Sequence, residues 1–230
     1  MESLLTLPIG DYHTVELTLR FMVTLIVMTA LMQIFCLIVA DRRVKLSLII
    51  SGVVLLGAGC FESGVWEAWK EAFELAGASY CVTGHLLAGE DRIIAWSLGA
   101  PAILIAFGLL HLKPNTSSFR YLFGAALGWA ILGPFFQVVP LLGYAACVLQ
   151  LRKVLKGETL VAVACMASGL LLTEFGNFHL LPLGKTAAEM LVGGELVHSL
   201  CDFLLLVVPG VALLIAALRI SEVDAMRSVE

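Results

Sequence analysis

Two stretches of the chain carry no charged residue for the length of a bilayer crossing: residues 21–40 (FMVTLIVMTALMQIFCLIVA) and residues 93–112 (IIAWSLGAPAILIAFGLLHL). A helix rises about 1.5 Å per residue, so about 20 apolar residues cover the hydrocarbon core, and a helix satisfies its own backbone amides there. Composition agrees, with 60% hydrophobic and 14% charged residues among 230 and a mean hydropathy of +0.98. Soluble domains carry about a quarter charged residues. These features imply an all-α, multi-pass protein whose main partner is the lipid bilayer, forming a single transmembrane domain over residues 1–230. Strands are not expected. No basic stripe with interleaved aromatics exists, which excludes a nucleic-acid partner.

The first apolar run is too long and starts too late for a cleavable signal, so its helix is expected to stay in the protein. Apolar runs place helices at about 17–40, 46–66, 92–112, 119–134, 138–155, 159–179 and 190–218. The count depends on residues 121–151, which carry no charge over 31 positions. As one helix they would be about 46 Å long, too long for a single straight span. Pro134 and Pro140 bracket a short segment, and proline removes a backbone donor and clashes with the preceding turn, so the spacing predicts a reversal between two short helices.

Charge asymmetry tests that count independently. With seven spans and an outside N-terminus, the inner segments hold Arg42, Arg43, Lys45, Lys113, Arg120, Arg152, Lys153, Lys156, Arg219 and Arg227, which is 10 of the 14 basic residues. Six spans would leave a 6 to 8 split. Inserted proteins concentrate Lys and Arg on the cytoplasmic side, so seven spans with a cytoplasmic C-terminus are expected, in a plasma membrane or bacterial inner membrane. The segment EAWKEAFELA, after the second run, is expected to prolong that helix or to form a short interfacial one.

Cys36, Cys60, Cys147, Cys165 and Cys201 fall in apolar runs and Cys81 in a loop, with no metal-ribbon spacing. Ionisable side chains inside a membrane are costly and face the bundle interior, which makes each a candidate. Glu195, His198 and Asp202 are spaced i, i+3 and i+7, on one face of the last helix. The second helix offers Glu62, the third begins at Arg92, and the sixth carries Glu174 and His179 near its end. An Arg92 to Asp202 pair would hold the bundle together without any chemistry. Alternatively, Glu62, Glu174, His179, His198 and Asp202 suit a zinc, iron or haem site, serving a membrane enzyme or redox subunit.

The third helix reads R-I-I-A-W-S-L-G-A-P, with Arg92, Trp96 and Pro101 spaced as in the third helix of microbial rhodopsins. The last reads D-F-L-L-L-V-V-P-G, where Asp202 and Gly210 are similar to that family's final helix. The chain therefore resembles a microbial (type I) rhodopsin, which implies a seven-helix bundle around a polyene. It departs from the pattern where chemistry would lie. Leu206 stands where the resemblance places the retinal-binding lysine, and Ala95 and Ala106 where it places the proton-acceptor and proton-donor carboxylates. The sixth helix has neither Trp nor Tyr, so the family's aromatic clamp is expected to be missing except for Trp96, and every lysine is expected in a loop or at a helix end.

Covalent retinal is accordingly not expected, and no reaction is assigned. The first reading is a lysine-less opsin-like module for binding or signalling, with a polar core of Arg92, Trp96, Glu195, His198 and Asp202 and a non-covalent apolar or anionic ligand. The alternative is the metal or haem protein described above. A third is a structural subunit associating with other membrane proteins or with further copies of itself.

Overall fold

The computed structural model describes residues 5–85, 87, 89–136, 138–177, 184 and 186–227. Among them run seven helices: α1 (Ile9–Cys36), α2 (Arg42–Ala72), α3 (Gly89–His111), α4 (Ser117–Leu132), α5 (Val138–Leu151), α6 (Gly157–Asn177), and a final helix α7 in three continuous parts. Those parts are Ala187–Asp202, a π-helical turn Phe203–Val207, and Val208–Arg227. Consecutive helices pack against one another, and α1 also lies against α7, which closes the bundle.

Five of these helices are long and apolar enough to cross a membrane, while α4 and α5 form a shorter apolar pair. The reversal between that pair falls at Gly133–Phe136, with Pro134 in the turn and Pro140 in the first turn of α5, where its missing N–H leaves no helical bond unmade. In α7 the wide turn lies directly before Pro209. Proline there cannot donate to the carbonyl four residues back, and the π turn accommodates that gap.

The helices begin and end differently from the apolar runs because local signals extend them past the hydrocarbon. Pro8, at φ −54° and ψ 145°, leads directly into α1 at Ile9. A capping box starts α7 at Ala187: the Thr186 hydroxyl accepts from the Glu189 amide at 3.2 Å, and the Glu189 carboxylate accepts from the Thr186 amide at 3.2 Å. Helix α2 continues past its apolar run through Lys70 to Ala72.

The absence of strands is corrected by a small antiparallel sheet at the end of the bundle where α1 begins. Its order is β1 (Thr6–Pro8), β3 (Ser79–Val82), β2 (Phe73–Ala76). Phe73 to Ala76 thus leave the helical path that EAWKEAFELA suggests, and Cys81 sits in a strand rather than a loop. The reason is a two-residue hairpin loop in which Gly77 takes φ +66°, a conformation glycine alone adopts cheaply. The sheet is anchored by aromatics: Tyr12 stacks on Tyr80 with ring centroids 3.6 Å apart and on Trp69 at 5.8 Å. Leu7, Val15, Leu19, Val65 and Phe73 complete this cluster.

Below the sheet, the main core joins α1 to α7 through close helix approaches. Gly210 is one such place: a methyl there would come within 2.9 Å of Thr29 and 3.0 Å of Leu55, and its carbonyl accepts from Gln33 Nε2 at 2.8 Å. Gly99 is another, since a methyl on it would collide with the buried Leu206 side chain.

Candidate functional site

Arg92 lies in the first turn of α3 and Trp96 one turn further on, so both side chains point along one face toward α7. On α7, Glu195 and Asp202 share a face at i and i+7, with Asp202 about 10 Å deeper in the bundle. Glu62 arrives from α2. Around the guanidinium these helices converge. Arg92 Nη1 donates to Glu195 Oε2 at 3.0 Å, and Arg92 Nε lies 3.5 Å from Asp202 Oδ2 and 3.6 Å from Glu62 Oε2. Trp96 Nε1 donates to Asp202 Oδ1 at 2.5 Å. Relative exposures of 3% for Arg92, 1% for Glu62 and 0% for Asp202 place this ion cluster out of water.

Such a cluster is costly to form and costly to break. Desolvation offsets most of the attraction within a buried ion pair, while removal of one partner leaves a naked charge. Three carboxyl groups face one guanidinium, and two of them, Glu62 and Asp202, also lie against each other. Even so, Arg92 Nη2, Glu62 Oε1 and Asp202 Oδ2 have no hydrogen-bond partner among the described residues.

Against this cluster lies a cavity of about 580 Å³. Its polar side is formed by Arg92, Glu195 and His198, with Glu174 of α6 and Glu90 of α3. Its apolar side is formed by Trp96, Trp129 of α4, and Phe135 and Phe136 of the α4–α5 turn. Glu90, Phe135 and Phe136 are exposed and make the rim, whereas Trp129 is buried at 1% exposure with its Nε1 unpartnered among the described residues. His198 faces the same space, its ring 6.0 Å from that of Trp96.

The sequence-derived candidates are therefore distributed as follows. Arg92, Trp96, Glu195, His198 and Asp202 come together, and Glu62 joins them as a partner of Arg92. Glu174 stands across the cavity from them, on α6. His179 lies outside the described residues. Among the described residues no group of three His, Cys, Asp or Glu side chains is arranged to hold a metal ion. Helix α6 carries no Trp or Tyr, and besides Trp96 the aromatic walls come from Trp129, Phe135 and Phe136 of α4 and its turn. A lone tryptophan in an apolar run reads as core, which is why sequence reasoning passes over Trp129.

Leu206 lies in the π turn, fully buried, with its side chain occupying the space that Gly99 leaves open. Ala95 and Ala106 are fully buried as well.

No protein-family model matches the sequence, and no curated protein is significantly similar to it. Solved structures do match. Xanthorhodopsin, a light-driven ion pump with dual chromophore, superposes with a TM-score of 0.74 at 18% identity, covering 97% of this chain and 99% of that one. The chain has the microbial-rhodopsin fold. Thermophilic rhodopsin gives a TM-score of 0.69 at 16% identity, covering 96% of this chain and 99% of the other. The blue light-absorbing proteorhodopsin from Med12 gives 0.64 at 16% identity, covering 91% and 98%. In this microbial-rhodopsin fold the ion cluster and the cavity sit at the sheet end, between α3, the α4–α5 turn, α6 and α7.

Proposed function

We propose that this rhodopsin-fold chain is a binding and signalling module of the plasma membrane, or of a bacterial inner membrane, that works without covalently held retinal. The ten basic residues at the end opposite the sheet support an outside N-terminus and a cytoplasmic C-terminus. The sheet, the ion cluster and the cavity then face the extracellular side.

One observation carries the reading. Leu206, four residues past Asp202, fills the position from which the resemblance would tether a polyene, and it packs into the gap at Gly99. A Schiff base needs an amine there, and an alkyl group in closed contact offers none. Covalent retinal does not fit these residues. Lys45 begins α2, Lys70 ends it, Lys113 follows α3, and Lys153 and Lys156 lie between α5 and α6, all away from that position. Fully buried Ala95 and Ala106 supply only methyl groups where a pump would need carboxylates on both sides of the chromophore. What remains is a cavity with aromatic walls and a few polar groups, the usual make-up of a small-molecule site.

The test is the visible spectrum of protein extracted into lipid nanodiscs, together with its bound-molecule content by native mass spectrometry. The expected result is a protein with no borohydride-trapped adduct and with a small molecule that leaves on denaturation. Thr173 of α6 also lines the cavity, so in Thr173→Trp, which puts an indole into that space, the molecule is expected to be lost. Retinal trapped on a lysine would overturn the reading, and so would a wild-type protein carrying no more than Thr173→Trp carries.

A further inference from the structure

We infer that the cavity takes an organic cation: an amine or quaternary ammonium on an apolar body. The inference rests on the binding reading above and specifies its ligand. Arg92, the one cationic side chain on the cavity wall among the described residues besides a protonatable His198, invites an anion. Its partners reverse that expectation. The guanidinium is already engaged by Glu62, Glu195 and Asp202. Two further carboxyl groups, Glu90 and Glu174, line the cavity with no hydrogen bond or ion pair among the described residues. An anion beside Arg92 would have to compete with the groups that already hold it, whereas an incoming cation finds Glu90 and Glu174 without a partner.

The walls fit the same ligand. Trp96, Trp129, Phe135 and Phe136 present aromatic rings to the cavity, and an ammonium is attracted to such faces, most strongly to tryptophan.

Three benzoate esters of one shape separate the possibilities: benzoylcholine, its neutral isostere 3,3-dimethylbutyl benzoate, and the anionic 2-sulfoethyl benzoate. Binding is read from tryptophan fluorescence of the full chain in phosphatidylcholine nanodiscs. Benzoylcholine is expected to bind about tenfold or more tighter than the neutral ester, with the sulfonate weaker still. Glu174→Gln and Glu90→Gln, both at positions that are not fully buried, are expected to weaken benzoylcholine several-fold and leave the neutral ester unchanged. If the neutral or anionic ester binds as tightly as benzoylcholine, or if neither Glu variant affects the cation selectively, the cation inference is overturned while the binding reading stands. If none of the three binds to the wild type more than to Thr173→Trp, the binding reading falls too.

Discussion

The two halves of α3 differ sharply. Its first two turns carry Arg92 and Trp96 into the ion cluster and the cavity, whereas from Ala100 to Gly108 its buried side chains are all apolar. Helix α7 repeats the division, with Glu195, His198 and Asp202 before the π turn and Leu205, Leu206, Leu213 and Ala217 within or after it. The lesson is that the buried charged side chains gather at the sheet end, while the polar groups buried in the other half, Gln33, Ser47, Ser51 and Thr159, are uncharged. A charged cluster at one end suits a site that binds there.

Mutations break this contrast unequally. The largest effect is expected from Arg92→Leu, which strands the buried Glu62 and Asp202 and the half-buried Glu195 and should cost roughly 3–5 kcal/mol in an unfolding titration in mixed micelles. A wild-type-like midpoint would mean that the cluster is not closed as described. Next in order, Leu206→Ala should lose roughly 2–5 kcal/mol in the same titration, because it empties a fully buried position. Loss of much less would show that the gap at Gly99 collapses easily. For Asp202 the informative quantity is a difference. Asn retains an oxygen for Trp96 Nε1 and Ala does not, so Asp202→Ala should be less stable than Asp202→Asn by about 1–3 kcal/mol. Equal stability would leave the Trp96 bond without weight. The smallest change belongs to the exposed end: Arg219, paired with Glu158 while largely solvated, should tolerate Arg219→Gln within about 1 kcal/mol.

Much of the fold was legible because a bilayer imposes few rules. Charge-free length marked the long spans, Pro134 and Pro140 marked the reversal, and the distribution of Lys and Arg fixed the count. The sheet escaped notice because its strands are three or four residues long and Phe73–Ala76 continues a helical pattern in the sequence. In the site, Asp202 could be read from its helical spacing with Glu195 and His198, Arg92 from the cost of a charge within the membrane, and Trp96 from the resemblance of the third helix. The role of Glu62 could not, because spacing along one helix says nothing about which neighbouring helix its side chain meets. The cavity needed Trp129 and the α4–α5 turn, and nothing in an apolar run distinguishes a wall from a core.

That turn joins the two shortest helices of the bundle. At 16 and 14 residues, α4 and α5 reach only about 24 Å and 21 Å, below the ~30 Å of hydrocarbon they border. A bilayer that thins to meet this hairpin would bring its headgroup region down toward Phe135 and Phe136, at the rim of the cavity.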